Sequence, residues 1–246
     1  MKLSICLLTK NSQDALSRLL PTLTFADEIV IIDDLSNDNT AHIASAHQAR
    51  FFKRKLDDDF SAQRNFALSK AKCPWVLFLD PDEQVSPELA AEITATITSP
   101  KYDGYQLKRQ DIFLNKELRY GETGHLWLTR LGKKSAGVWQ RPVHEIWAID
   151  RFGRLKQPLS HASHQTVASF ITKINYYTEI ESHYRLGRRQ TVSLWQTLVY
   201  PLGKFIHNYI VRRGFLDGFE GFIMAVMMSI HSFLVRAKMM KVKVHA

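Results

Sequence analysis

The strongest constraint on this chain is a rhythm in its first hundred residues, where short apolar runs, two of them stopped abruptly by carboxylates, are separated by amphipathic stretches. Trp75-Val76-Leu77-Phe78-Leu79 is the most strand-like run, and it ends at Asp80-Pro81-Asp82-Glu83. Leu3 to Leu8 and Glu28 to Ile32 read as earlier strands, the second closed by Asp33-Asp34, and Arg50 to Lys53 reads as another. Between them Ala15, Leu16, Leu19, Leu20 and Leu23 recur at helical spacing, and a helix is predicted from about Phe60 to Lys72. The polar turn Ser36-Asn37-Asp38-Asn39 can cap the helix after the second strand. Ser86-Pro87 offers an N-cap and a first-turn proline to a helix with Leu89, Ile93 and Ile97 on one face. Strands and helices alternating in this way predict an α/β fold around a mainly parallel sheet.

From Gly104 to about Trp147 the texture changes to short strand-like pieces rich in Arg, Trp and Gly, and beyond about Ser160 it turns helical. The expected organisation is a catalytic domain over 1–160, with a nucleotide half 1–100 and an acceptor half 101–160, followed by a basic helical region over 161–246. Residues 151–246 hold 14 Lys/Arg against 4 Asp/Glu, a net +10, whereas the first 150 hold 19 against 20, a net −1. Such asymmetry points the second region at something anionic, either phospholipid headgroups or nucleic acid. The long apolar runs mixed with these charges weigh against nucleic acid, and none is expected as a partner.

Arg188-Arg189 and Arg212-Arg213 lie among Trp195, Tyr200, Phe205 and Tyr209, a mixture that suits an anionic membrane surface. Phe219 to Val235 is the most apolar stretch, yet it contains Glu220 and His231 and falls short of the about 20 residues of a spanning helix. An interfacial or re-entrant amphipathic helix is the expectation, with an ordinary buried helix as the alternative. Cys6 and Cys73 sit in or beside apolar runs and read as buried thiols in a reducing compartment. Met1 to Leu8 is too short an apolar stretch for a signal peptide and reads as the first strand. The expected location is cytoplasmic, peripheral on the inner face of the cytoplasmic membrane.

In an open parallel sheet ligands bind at the carboxyl ends of the strands, and two such ends here carry acidic clusters, Asp33-Asp34 and Asp80-x-Asp82-Glu83. Each could equally be a solvated turn or a cap. Asp80 and Asp82 together offer hard oxygen ligands of the kind Mg²⁺ or Mn²⁺ prefers when phosphate oxygens complete its shell. No dinucleotide-binding glycine motif and no P-loop occurs.

Ser4-Ile5-Cys6-Leu7-Leu8-Thr9-Lys10-Asn11, then Val30-Ile31-Ile32-Asp33-Asp34-Leu35-Ser36-Asn37-Asp38-Asn39-Thr40, then Phe78-Leu79-Asp80-Pro81-Asp82-Glu83 together resemble glycosyltransferase family 2, whose members share the GT-A nucleotide-sugar-binding fold. Gln63-Arg64-Asn65-Phe66-Ala67-Leu68, Arg141-Pro142-Val143-His144-Glu145 and the Lys173-Ile174-Asn175-Tyr176-Tyr177 region make the chain most similar to bacterial lipopolysaccharide-core β-glucosyltransferases. The resemblance implies that Thr9 and Asn11 lie beside the nucleotide, that Asp33 and Asp34 belong to its site with Asp34 on the uracil-type base, and that Arg64 approaches base or phosphate. It implies Asp80 and Asp82 as ribose and metal carboxylates and Glu145 as catalytic base. Lys10 stands where the family commonly has an aromatic residue. His144 can orient Glu145 or touch the diphosphate, and His161 or His164 can close over metal and phosphates, although a lone histidine is more often structural.

The implied activity is an inverting transfer of glucose or a similar hexose from a UDP-sugar to a lipid-linked or lipopolysaccharide-core acceptor, with Mg²⁺ or Mn²⁺ as cofactor. A polyprenyl-phosphate sugar synthase is the alternative within the class. From another class comes a receiver-like signalling domain with a membrane-binding tail, which the length of the segment from Gly104 to Trp147 disfavours.

Overall fold

The structure, a computed structural model, describes residues 2–164 and 166–242, the side chains of 163, 164, 241 and 242 excepted. Two compact units emerge: the first takes the chain up to Arg109 and Trp127–His161, the second Gln110–Leu126 and the chain from Ala162 on. In chain order the strands are β1 (Leu3–Thr9), β2 (Glu28–Asp33), β3 (Arg50–Lys53), β4 (Trp75–Leu79), β5 (Glu83–Gln84), β6 (Gly104–Phe113), β7 (Lys116–Glu117), β8 (Trp127–Lys133), β9 (Gly137–Gln140), β10 (Ile146–Ile149), β11 (Phe152–Arg154) and β12 (Leu159–His164). The helices are α1 (Gln13–Leu19), α2 (Thr40–Ala46), α3 (Phe60–Lys70), α4 (Pro87–Thr98), α5 (Val167–Gly187), α6 (Leu194–Ile206) and α7 (Gly218–Val242).

The sheet of the first unit runs β3-β2-β1-β4-β8-β6. Its first four strands are parallel, and β8 is antiparallel to both β4 and β6. The chain leaves β1 toward β2 and β3 and returns on its other side as β4, so the carboxyl ends of β1 and β4 flank the point where winding reverses. That is where an α/β sheet opens to ligands.

Period-two alternation sorts the side chains of these strands between two cores. Ile5, Leu7, Ile31, Leu77 and Leu79 join Leu16, Leu19, Leu89, Ile93 and Ile97 of α1 and α4 in one cluster. Cys6, Val30, Ile32, Val76 and Phe78 join Ala67 and Leu68 of α3 and Trp139, Trp147 and Ile149 of the β9–β10 hairpin in the other. Both faces of the parallel strands are thus covered, which is why β4 is apolar throughout and β1 and β2 are apolar along most of their length. Gly132 of β8 is required here, since a Cβ there would meet Ile149 Cδ1 at 2.6 Å and Trp147 Cη2 at 3.0 Å.

The caps follow the residues. Ser86 Oγ accepts from Leu89 N at 3.1 Å ahead of Pro87, as expected for α4. Asp59 Oδ1 accepts from Ala62 N at 2.8 Å to start α3. At α2 the cap differs from the simplest expectation: Asn39 makes no capping bond, and Asp38 Oδ1 accepts from Thr40 N at 3.0 Å instead.

In the second unit the end of β6 pairs with β7, and Phe113, Leu118, Phe170, Ile174, Met224 and Met227 form the core. Buried Asp217 accepts from the backbone N–H groups of Arg119 and Tyr120 at 3.1 and 2.9 Å. The apolar stretch proves longer than Phe219 to Val235. Gly214–Met240 is 27 residues, long and apolar enough by length and composition to cross a membrane, because Phe215 and Leu216 precede it and Met239 and Met240 extend it.

Candidate active site

Alternation places Thr9 and Asp33 on the α1–α4 side of the sheet and Asp34 and Asp80 on the α3–hairpin side. Thr9 Oγ1 donates to Asp33 Oδ1 at 2.9 Å, and Ser36 donates to the same carboxylate from Oγ at 2.5 Å and from N at 2.8 Å. Asp33 is fully buried with both oxygens engaged, so its chemistry is spent shaping the loop that carries Asp34. Asn11, in the left-handed region at φ 46°, donates its N–H to Ser36 Oγ at 2.7 Å and accepts from Asn37 N at 3.0 Å, stitching the β1 and β2 loops together. Asp34 accepts from Leu56 N at 2.9 Å and from Lys10, whose Nζ stands 3.4 Å from Oδ2. Lys10 therefore has a defined place in this loop pair, where an aromatic side chain could not form that ion pair.

Across β1 from Asp34, roughly 10 Å away by two strand spacings, Asp80 begins the second acidic cluster. Arg64 Nη2 donates to Asp80 Oδ1 at 2.9 Å and Arg130 Nη2 to Oδ2 at 2.6 Å. Arg130 also reaches Glu83 Oε1 at 3.3 Å, and Glu83 Oε2 accepts from Asp80 N at 2.8 Å. Burial opposes ionisation of Asp80, but the guanidiniums of Arg130 and Arg64 outweigh it and hold its carboxyl well below the usual range. Glu83 moves the other way: burial pushes its carboxyl up, Arg130 partly offsets that, and the Asp80 charge adds to it. Arg130 is held more firmly charged, the Asp80, Glu83 and Glu145 carboxylates prevailing over its burial.

The Asp82 side chain is about as open as that of Asp80, 32% against 29% exposed, and His161 Nε2 lies 3.5 Å from its Oδ1. The pairing of β12 with β5 sets His161 opposite Glu83 and so brings the imidazole to this strand end. The side chain of His164 lies outside the described residues. Each oxygen of Asp80 accepts from one arginine, and the Asp82 carboxylate and His161 imidazole face each other. Among the described residues no group of three or more His, Cys, Asp or Glu is assembled for a metal.

Glu145 arrives from the link between β9 and β10, and Arg64 Nε donates to its Oε1 at 2.7 Å. Three consecutive residues of α3 organise this region because successive helical side chains diverge. Gln63 Nε2 donates to Arg54 O at 2.7 Å, Arg64 reaches both carboxylates, and Asn65 exchanges two 2.9 Å bonds with the backbone of Trp139. Arg64 also lies over the Trp139 ring at 4.8 Å, while Trp139 stacks on Trp147 at 5.4 Å. His144, exposed and at φ 51°, precedes Glu145 on the outer side of the turn.

Asp80, Asp82, His161, Arg64 and Glu145 are therefore gathered into one connected set, whereas Thr9, Asn11, Asp33 and Asp34 form a second group at the neighbouring strand ends. Sequence reasoning missed Arg130, Glu83 as a hydrogen-bond anchor, and Asn65 as a clamp. Arg130 alternates with Leu131 in β8, a signal that acquires meaning once β8 is known to border β4.

Residues 4–156 match the family described as Glycosyl transferase family 2. A lipopolysaccharide core biosynthesis glycosyltransferase, LpsC, of Rhizobium meliloti is 25% identical over 97% of this chain and 92% of its own length. An uncharacterized glycosyltransferase of Rickettsia prowazekii is 24% identical over 97% and 86%. Among solved structures, Staphylococcus aureus TarS 1-349 in complex with UDP-GlcNAc superposes with a TM-score of 0.51 at 16% identity, covering 98% of this chain and 89% of that one. Glucosyl-3-phosphoglycerate synthase of Mycobacterium tuberculosis, with Mn²⁺, UDP and glucosyl-3-phosphoglycerate, gives 0.53 at 10% identity over 75% and 78%.

Proposed function

Since the chain belongs to glycosyl transferase family 2 and has the GT-A fold, we propose that it transfers a hexose, glucose or a close relative, from a UDP-sugar to a lipid-linked or lipopolysaccharide-core acceptor with inversion at the anomeric carbon. Family membership leaves no room for the receiver-like alternative. The observation that carries the reading is the Arg64 bridge, which joins Asp80 at the end of β4 to Glu145 on the hairpin link. The UDP-GlcNAc bound by TarS supports the class of donor, and the likeness to LpsC supports a core-type acceptor.

In this reading Asp34 and Asn11 hold the base end of the nucleotide, and Asp80, fixed by Arg64 and Arg130, takes the ribose. Asp82 and His161 fit a divalent cation, one hard oxygen and one imidazole nitrogen, and would hold it against the diphosphate. When bound, Mg²⁺ or Mn²⁺ would offset the negative charge of the departing UDP.

Glu145 accepts the proton of the acceptor hydroxyl as that oxygen bonds to the anomeric carbon. The bond from that carbon to the diphosphate oxygen breaks on the opposite face, so an α-linked donor yields a β-linked product. The Arg64 guanidinium, itself stacked over the Trp139 ring, keeps the Glu145 carboxylate oriented. The buried free thiols of Cys6 and Cys73 suit the reducing cytoplasm in which UDP-sugars are made.

The test is transfer by purified protein with Mn²⁺ or Mg²⁺ from a panel of UDP-sugars to a lipid A-core acceptor, with polyprenyl phosphate in parallel. Core transfer with an inverted linkage is the expected result. Transfer to polyprenyl phosphate alone would favour the synthase alternative, and no turnover of any nucleotide sugar would end the proposal.

A further inference from the structure

Helix α6 is inside out. It buries Thr197 and Pro201 against α7, where Pro201 O accepts from Ser229 Oγ at 2.7 Å and Thr197 Oγ1 lies 3.4 Å from Met240 Sδ. Its outer side carries Leu194, Trp195, Leu198, Leu202 and Ile206, exposed by 63, 73, 58, 61 and 46%. A helix of a soluble unit puts those residues inward and the polar ones out. The apolar exposure runs on through the π-helical turn His207–Val211, with Val211 65% exposed, to Phe219, 71% exposed. Scattered exposed apolar residues are ordinary, but a run this long on one segment marks an interaction surface.

Charge identifies the occupant. Between Glu181 and Asp217 the chain holds no Asp or Glu, and it holds Arg185, Arg188, Arg189, Lys204, Arg212 and Arg213. Arg188 and Arg189, which precede the apolar run, and Arg213, which lies within it, are exposed. Pairing with a second copy through this face would set these cations against their own counterparts. Trp195 adds an amphipathic ring at the same face, as in an element lying at headgroup level.

We propose that α6 and the turns that follow it, residues 194–219, are the bilayer-contacting element of this protein, lying in the plane of an anionic leaflet with apolar side chains in the acyl boundary and the arginines at the phosphates. Helix α7 is then the packed support rather than a span. It buries Met224, Ala225, Met227, Val235 and Met239, and it carries Arg236, whose guanidinium sits 4.3 Å over the Tyr200 ring. The inference goes beyond the transfer reaction and does not depend on it.

The test is sedimentation of the full chain with phosphatidylcholine vesicles containing about one-third phosphatidylglycerol, against phosphatidylcholine alone. Wild type should bind the anionic vesicles at least about tenfold more tightly and release as salt rises. Leu198→Glu with Leu202→Glu, both on exposed positions, should abolish binding while UDP-sugar binding in solution stays unchanged, and Arg188→Gln with Arg189→Gln should remove much of the salt-sensitive part. Binding by the glutamate variant equal to wild type overturns the assignment. So does a vesicle-indifferent protein that elutes as a dimer dispersed by those glutamates, which would make a second copy the occupant. Wild-type protein that resists extraction by both high salt and alkaline carbonate overturns the in-plane arrangement in favour of a spanning α7.

Discussion

Arg64 donates to Glu145 at 2.7 Å with one nitrogen and to Asp80 at 2.9 Å with another, so a single buried guanidinium ties the hairpin link to the end of β4. The two carboxylates are 65 residues apart in sequence. The planar fork of arginine suits such a bridge, since it presents several donors at fixed angles where lysine presents one compact charge. The geometry makes the position of the proposed base depend on the same residue that anchors Asp80.

Replacing Glu145 by Gln keeps the side chain's shape and one acceptor toward Arg64 but removes the group that takes the hydroxyl proton. Turnover should fall by about 10² to 10⁴-fold, the usual worth of general base catalysis. UDP-sugar affinity, read by calorimetry, should change little. Undiminished transfer by this variant would remove Glu145 from the chemistry.

Asp82→Ala and His161→Ala should each weaken the response of the protein to Mn²⁺, because they delete the two donors that face each other at 3.5 Å. Ligand binding raises folded-state stability by RT ln(1 + [L]/Kd). The melting temperature of wild type with UDP should therefore rise further when Mn²⁺ is added, and that increment should vanish in both variants. An increment that survives in Asp82→Ala would place the cation elsewhere.

Asp80 links the site to stability through pH. Its folded carboxyl, held down by Arg130 and Arg64 against the opposing effect of burial, lies below the unfolded value of about 3.9. The stabilisation is therefore complete above about pH 4 and is lost as pH falls from there toward the folded value. Glu83 has the opposite sign, since its raised carboxyl favours the folded state most in acid and loses that benefit as pH rises past its unfolded value of about 4.3. Asp80→Asn removes one of the two carboxylates that each of the buried Arg64 and Arg130 guanidiniums contacts and should cost roughly 1–3 kcal/mol at pH 7. Urea unfolding at pH 7 and pH 3 should show that penalty shrinking in acid, and an equal penalty at both would contradict the ion-pair account.

The parallel strands were legible from their short apolar runs, two of them closed by carboxylates: β3 and β4 fall on the residues expected, and β1 and β2 each gain one, Thr9 and Asp33. Ser86-Pro87 marked its helix for the same local reason. The division of labour inside Asp33-Asp34 was not legible, since it depends on which face each carboxylate takes once β2 is paired with β1. Arg130 was hidden for a related reason. It is one of many arginines in a segment without strong periodicity, and only the antiparallel pairing of β8 with β4 delivers it to Asp80. The grouping of 110–126 with the helical unit likewise rests on long-range bonds, such as those from Arg119 and Tyr120 to Asp217.

Asn65 offers the sharpest separation of scaffold from chemistry. Its amide donates to Trp139 O and accepts from Trp139 N, both at 2.9 Å, which fastens β9 to α3 and so positions the hairpin whose link carries Glu145. Asn65→Ala leaves a backbone donor and acceptor of β9 without these partners, at a cost of about 1–3 kcal/mol. Because α3 keeps its cap and Arg64 is untouched, that loss should appear first as faster hydrogen exchange over 137–149, with the parallel strands still protected. Turnover should fall along with it, while affinity for the UDP-sugar changes little, since the β1 and β2 loops lie on other elements. If exchange instead rose uniformly across the first unit, the hairpin would not be a separately fastened element, and the proposed route from Asn65 to the placement of Glu145 would fail.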